Sequence, residues 1–496
     1  MIKDKVKNTK IIGLFTGLII LIITYVIPHP EGLNIHAWHT LGVALLMACW
    51  WLTEAIPLPA TGLIPIICFP ILGISTIKQT VQGYSHPIIF LFMGGFIIGL
   101  AMQHTGLHKR IAYFIISHFK LSLRLLILGF MLATAFLSMW ISNSATAIMM
   151  LPIAISIITV ISENQKNIKN TNFSKALVLS IAFSATIGGV ATLIGTPPNT
   201  VMAAMLSELY NYEIDFLDWL IIGLPTSLIL LPITWIVLTF ICFPIGNNKY
   251  KDSKIIDKNI SSLGKVSNDE ILVGLVFFIT ACLWISRRWL SNLLENILPS
   301  ASINDSSIAI TAAILLFILP SFKKNRNRLI NWQVAQKIPW GALILIGGGL
   351  SLASVINSSG LAAWIGMLSG NLSNISILLI IVICIISIML LTELTSNTAT
   401  AATFIPIFGA TAIGLGQNPL LLIIPATLGA SCAFMMPVAT PPNTIAYASG
   451  HIKISDMIKA GFLLNLISLF VIILITTLIL GPVFEVEINK IPNWIK

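Results

Sequence analysis

The sequence is poor in charge. Only 9% of its 496 residues are Asp, Glu, Lys or Arg, whereas 56% are hydrophobic; soluble domains carry about 25% charged residues. A chain so short of charge cannot cover its apolar groups with a solvated surface, and this excludes a large soluble domain. Catalytic patterns are missing too. No HExxH, GxSxG or GxxxxGK[ST] occurs, so membrane protease, esterase and nucleotide-driven pump readings have no footing and the chain is not expected to be an enzyme. Nor is there a CxxC. The six cysteines (Cys49, Cys68, Cys242, Cys282, Cys384, Cys432) lie inside apolar stretches with no His at metal spacing, and are expected to be buried and reduced. The net charge of +10 comes from Lys and Arg in short loops without interleaved aromatics, which argues against a nucleic-acid partner and for membrane orientation.

What the chain does have is apolar runs, each about long enough to cross roughly 30 Å of hydrocarbon. Spans are expected at 11–28, 39–53, 58–76, 88–104, 176–206, 217–245, 270–287, 305–321, 340–365, 418–449 and 460–482. The first follows Lys3, Lys5, Lys7 and Lys10 and lacks a small-residue cleavage site, so it is read as retained. Two further segments, 124–162 and 373–412, are too long for one helix and are interrupted by Ser, Asn and Thr. Lys109, Arg110, Lys120 and Arg124 precede the first, and Lys166, Lys169 and Lys175 follow it; residues 366–372 and 413–419 around the second carry no charge. Each segment therefore starts and ends on one side, the first inside and the second outside, as a re-entrant hairpin does. Lys249, Lys251, Lys254, Lys258, Lys265, Lys323, Lys324, Arg326 and Arg328 also fall inside, and Glu208, Glu213 and Asp215 outside. The N-terminus is then inside and the C-terminus outside, with Arg287 and Arg288 breaking the charge rule. The fold class expected is an all-α polytopic membrane protein of about 11 transmembrane helices plus two re-entrant hairpins.

An internal repeat gives the hairpins a common origin. Gly106 precedes Ser142 by 36 residues (142−106), as Gly360 precedes Ser396 (396−360). With the constant offset of 254 (396−142), Gly94-Gly95 falls on Gly348-Gly349, Ser138 on Thr392, Ser142-Asn143-Ser144 on Ser396-Asn397-Thr398, Thr146 on Thr400 and Pro152 on Pro406. Each half also carries the same tetrapeptide, Thr196-Pro197-Pro198-Asn199 and Thr440-Pro441-Pro442-Asn443. Inverted halves with helices broken at matching places are a secondary-transporter design. The division expected is 1–87 as mainly scaffold spans, 88–245 as the first repeat half, 246–339 as a cytoplasmic loop with connecting spans, 340–482 as the second half, and 483–496 as an external tail.

Polar groups at membrane depth are costly unless they are satisfied or bind something, so the four matched clusters call for a ligand. Where a hairpin helix begins, unpaired amides and the positive dipole end hold carboxylates. Asn143, Ser144, Asn397 and Thr398 add side-chain donors, and two such tips suit an anion with a carboxylate at each end. No Lys, Arg or His lies within 131–160, 181–206 or 421–450, and 385–410 holds only the acid Glu393. A co-bound cation would supply the missing countercharge, and Na⁺ favours the hard oxygens on offer: Ser138, Asn143 and the Gly195 carbonyl in one half, Thr392, Asn397 and the Ala439 carbonyl in the other. Gly94, Gly95, Gly347, Gly348 and Gly349 are read instead as close-packing positions. Glu54 and Glu393 are candidates for function, with structural hydrogen bonding an equal alternative.

The stretches WWLTEAIPLPATGLIP (50–65), SNSATAIMMLP (142–152), IGTPPNT (194–200), LTSNTATAATFIP (394–406) and PVATPPNTIAYASG (437–450) resemble those of the divalent anion:sodium symporter family over nearly the whole chain. The resemblance assigns Ser142, Asn143, Ser144, Ser396, Asn397, Thr398, Thr440 and Pro441 to the substrate, and Ser138, Asn143, Gly195, Thr392, Asn397 and Ala439 to sodium. It departs from the family's motif in one place, where Ser144 stands for a threonine. It implies Na⁺-coupled symport of C4-dicarboxylates such as succinate, malate and fumarate by an elevator motion, in a homodimer of the bacterial inner membrane. A sodium-independent dicarboxylate or citrate exchanger, a sulfate or citrate symporter, and a channel remain alternatives.

Overall fold

The computed structural model describes residues 2–119, 121–163, 172–246, 260–297, 303–323, 326–372 and 374–495. Lys120, Lys166, Lys169, Lys249, Lys251, Lys254, Lys258, Lys324 and the first position of the 373–412 segment lie outside the described residues. Within them the chain is helical, and the β pairing recorded is an isolated bridge between Pro320 and Arg328. Helices long and apolar enough to cross a bilayer are Asn8–Val26, Ile35–Thr53, Ile77–Thr105, Asn172–Val190, Phe216–Cys242, Asn268–Glu295, Trp340–Ser358 and Ile454–Phe484.

The other expected spans are short or broken, and proline decides where. The 58–76 segment is split into Leu58–Thr61 and Ile64–Ile71, each with a proline in its first turn. The 176–206 span becomes Asn172–Val190 and Pro197–Tyr210, and the 418–449 span becomes Leu420–Ser431 and Pro441–Ala448. In both, the paired prolines start the second piece, where a missing amide costs nothing and the fixed φ suits the first helical turn.

Both expected hairpins form, as Leu123–Ser138 with Asn143–Glu163 and Ile377–Thr392 with Asn397–Gly414. Before each stands a short helix that the sequence reading passed over, Leu107–Ser117 and Leu361–Ser369. Each starts at a glycine in the left-handed region, Gly106 at φ 94° and Gly360 at φ 86°, a conformation that glycine alone adopts without strain.

The two halves interlock crosswise. Pro87–Thr105 packs on Asp305–Ile318, while its repeat mate Trp340–Ser358 packs on the Leu58–Ile71 pair. At these crossings a Cβ on Gly94 would strike the Ala309 backbone, and one on Gly348 the Gly62 backbone. The reading of these glycines as close-packing positions holds there. Beyond each break the second piece reaches into the other half: Pro197–Tyr210 packs on Asn397–Gly414, and Pro441–Ala448 on Asn143–Glu163 and Asn172–Val190. Phe183 and Phe434 meet edge to face with centroids 5.3 Å apart at this centre. All four polar clusters are thereby drawn to one region.

The structure refines three expectations. Cys242, Cys384 and Cys432 are buried as expected, but Cys282 is exposed on its helix and Cys49 and Cys68 are half-buried. Glu54 ends the Ile35–Thr53 helix at φ 47° and pairs at the surface with Lys10 at 3.4 Å, which fits the structural of its two readings. Arg287 and Arg288, which break the charge rule, are neutralised: Arg287 pairs with Asp215 (2.8 Å) and Asp305 (3.1 Å), Arg288 with Asp215 (2.8 Å) and Asp218 (2.6 Å).

Candidate functional site

Each hairpin tip is a helix end, a four-residue turn and a helix start. In the first, Ser138 closes one helix and Asn143 opens the next. The Ser138 hydroxyl donates to the Ala185 carbonyl at 2.7 Å and lies 2.7 Å from Asn143 Oδ1. With the amide turned over, Asn143 Nδ2 reaches Ser138 Oγ at 2.7 Å, the Ala185 carbonyl at 3.1 Å and the Gly195 carbonyl at 3.2 Å. The pocket is thus a ring of oxygens that an amino group fills in one amide orientation. In the other, Asn143 contributes Oδ1 and the ring has the hard-oxygen donor set of a small cation.

The second tip repeats the geometry. Thr392 Oγ1 lies 2.6 Å from Asn397 Oδ1 and donates to the Ala430 carbonyl at 2.8 Å. Ala439 is buried in the loop of the same broken helix, its amide donating to the Met436 carbonyl at 3.2 Å, and no hydrogen bond among the described residues joins it to Thr392 or Asn397. Of the six residues assigned to sodium, the structure therefore joins Ser138, Asn143 and Gly195 directly, and Thr392 with Asn397.

The residues assigned to substrate divide by what their side chains already do. Ser142, Asn143 and Ser144 are half-buried, as are Ser396, Asn397 and Thr398. Ser142 Oγ accepts from the Ala145 amide at 3.4 Å. The hydroxyls of Ser144, Ser396 and Thr398 have no intramolecular partner among the described residues and are free for a ligand. Beside them the first-turn amides of Asn143–Glu163 and Asn397–Gly414 lack intrahelical acceptors. Thr440 is committed otherwise, accepting from the Asn443 amide at 3.3 Å as the cap of Pro441–Ala448, while Pro441 is exposed.

The sequence reading missed the residues that hold the breaks open. Asn199 Nδ2 donates to the Gly189 (3.4 Å), Val190 (3.2 Å) and Thr192 (2.9 Å) carbonyls. Its counterpart Asn443 Nδ2 donates to Ala433 and Met436, both at 3.0 Å. Next to them Thr200 Oγ1 donates to the Leu193 carbonyl (2.8 Å) and Thr444 Oγ1 to Pro437 (2.7 Å). These acceptors are carbonyls that the broken helix no longer bonds. The signal was in view, since both residues close the repeated Thr-Pro-Pro-Asn-Thr stretch.

Residues 8–484 match the family described as the sodium:sulfate symporter transmembrane region. The chain belongs to the sodium:sulfate symporter family. Among relatives in this family, the sodium-dependent dicarboxylate transporter SdcS of Staphylococcus aureus strain USA300 is 41% identical over 490 residues, spanning 97% of this chain and 93% of the relative. SdcS of strain MRSA252 is 41% identical over 497 residues, spanning 98% and 94%. These relatives are transporters and not enzymes, which agrees with the missing catalytic patterns. Two solved transporters share the fold at low identity. MtrF of Neisseria gonorrhoeae superposes with a TM-score of 0.59 at 14% identity, covering 97% of this chain and 96% of its own. YdaH of Alcanivorax borkumensis superposes at 0.54 with 12% identity, covering 88% and 98%. For this member of the sodium:sulfate symporter family, the two oxygen-lined tip pockets are the candidate site.

Proposed function

We propose that the protein is a Na⁺-coupled symporter of C4-dicarboxylates such as succinate, malate and fumarate. The observation that carries this reading is the paired geometry: two rings of hydroxyl, amide and carbonyl oxygens, each set at the start of a hairpin helix that presents free amides and hydroxyls. The rings take Na⁺, and Ser142, Asn143, Ser144, Ser396, Asn397 and Thr398 take the two carboxylates, with Thr440 and Pro441 lining the space between. Cation and anion stabilise one another because no basic side chain lies in these segments, and helix dipoles supply only about 0.3–2 kcal/mol per charge. The naming of SdcS as a sodium-dependent dicarboxylate transporter supports the same pair of cargoes.

In this reading the two halves form one moving unit around both hairpins, carried against a scaffold of 1–87 and 246–339, in a homodimer of the bacterial inner membrane. The N-terminus lies inside and the 483–496 tail outside. Uptake of radiolabelled succinate into proteoliposomes, with an inward Na⁺ gradient compared against K⁺ or choline, tests the proposal. Accumulation that requires sodium is the expected result. Uptake that ignores sodium but needs internal dicarboxylate would make the protein an exchanger, and silence in both arms would replace succinate by citrate or sulfate as the cargo to try.

A further inference from the structure

Met139 and Glu393 hold the same repeat position, 254 residues apart (393−139), directly after the hydroxyl of each pocket. They tie hairpin to broken helix by different chemistry. In the first half only the Met139 carbonyl is used, accepting from Thr192 Oγ1 at 2.5 Å. In the second half the Glu393 side chain, 2% exposed, is clasped by the amides of Phe434 (2.8 Å), Met435 (3.0 and 3.1 Å) and Met436 (2.9 Å), and by Asn465 Nδ2 (2.7 Å). The three main-chain neighbours can only donate, and with Asn465 Nδ2 turned toward Oε1 the group this clasp fits is the carboxylate. None of the ion pairs among the described residues includes Glu393, and no Lys, Arg or His occurs in 385–410 or 421–450.

We infer that Glu393 is a positioning residue that makes the two cation pockets unequal: its carboxylate shapes and charges the second, so that the Thr392–Asn397 pocket takes Na⁺ before substrate, while the neutral Ser138–Asn143 pocket fills with the dianion. The inference rests on the sodium-coupled reading above. The carboxylate acts in two ways. It gathers three consecutive amides of the loop that leads to Ala439, turning the carbonyls of that loop away from those donors. It also places a buried negative charge one residue from Thr392, in a region of low dielectric where a nearby opposite charge strongly favours a cation. The first pocket has the matching hydroxyl, amide and carbonyl oxygens, with the Gly195 carbonyl besides, and no fixed charge, so its cation depends on the incoming carboxylates.

Purified protein without substrate would be titrated with Na⁺ against choline at constant ionic strength, and its thermal midpoint followed, since a ligand that binds the folded state raises it. The wild type is expected to show a Na⁺-specific rise. Glu393→Gln should shift the sodium midpoint at least about tenfold upward, and Glu393→Asp, which keeps the charge, should restore most of it. An unchanged midpoint in Glu393→Gln, or equal loss in Gln and Asp, would overturn the inference. If Glu393→Gln does not fold, Thr392→Ala and Ser138→Ala decide: the substrate-free response should vanish in the first and persist in the second, and equal or opposite behaviour overturns the inference. Failure of the underlying reading looks different, because the wild type itself would then show neither a Na⁺-specific rise nor Na⁺-driven succinate uptake.

Discussion

Ser138 and Thr392 each serve two partners, donating to a main-chain carbonyl while facing the amide that opens the next helix. On the proposed reading, taking that amide away by Asn143→Ala or Asn397→Ala removes a cation ligand and a carboxylate donor together. A hydrogen bond to a charged group is worth about 1.5–3 kcal/mol, or roughly tenfold and more in binding. Each variant is therefore expected to lose at least about tenfold in sodium-driven uptake at unchanged protein level, measured in proteoliposomes; normal uptake in both would remove the site from the tips. Ser144→Thr is a milder change, adding a methyl beside a free, half-buried hydroxyl. It should leave the sodium requirement intact and alter the ranking of dicarboxylates in competition assays, and loss of the sodium requirement would contradict the separation of anion and cation roles. These residues were legible in the sequence because polar side chains in an apolar run are costly and stand out. For Glu393 the sequence offered structural hydrogen bonding as one of two readings but not its partners, which are mainly the main-chain amides of 434–436, and an amide leaves no trace in residue type.

At the scale of helices, the sequence announced both breaks through paired prolines but not what keeps the gaps open. Proline explains why a helix stops; it does not satisfy the carbonyls left behind. Asn199 and Asn443 do that, and each is fully buried. Asn443→Leu keeps the forked shape of the side chain in a larger volume and leaves the Ala433 carbonyl without its donor, while the Met436 carbonyl keeps the Ala439 amide. The expected cost is about 1–3 kcal/mol, the penalty for burying an unsatisfied polar group, seen as a lower thermal midpoint together with weakened sodium dependence. A variant as stable as the wild type would show that the loop stands without the clamp. The Leu107–Ser117 and Leu361–Ser369 helices were missed for a different reason. They are too short for a span and follow a hydrophobic helix after Gly106 or after Ser359-Gly360, so their pattern merges with the run before them; only Gly106 and Gly360, at matching repeat positions, mark where the chain turns.

For the molecule as a whole, the orientation expected from the charge rule has one exception, and that exception has a physical cause. Arg287 and Arg288 meet Asp215, Asp218 and Asp305 where Phe216–Ile236 approaches Asn268–Ile297 and Asp305–Ile318, so they are spent on acids and carry little orienting charge. Burial works against the Asp215 charge, but the Arg287 hydrogen bond and the Arg288 charge hold its carboxyl below the usual carboxylate range. A lowered folded value means this contribution is complete above the unfolded pKa of about 3.9 and is lost only as pH falls through the lower folded one, so acidifying to about pH 5 should leave it intact. Arg287→Met strands the buried Asp305 carboxylate, while Asp215 keeps Arg288, and should cost about 3–5 kcal/mol in unfolding experiments; a neutral result would show the cluster to be dispensable. Orientation itself is open to direct labelling. Leu368, 52% exposed, lies beside the uncharged flank that the proposed orientation places outside, and Val266, 51% exposed, follows the basic stretch that it places inside. Position 414 is unsuited to a probe because the Gly366 backbone occupies the space of its Cβ. In a background with the exposed Cys282 replaced by Ala, Leu368→Cys should react with an impermeant thiol reagent added to whole cells, and Val266→Cys only after the membrane is opened. The reverse pattern would turn the molecule over, so that the 123–163 hairpin enters from the outer side and the 377–414 hairpin from the inner, with their tips still meeting at the centre.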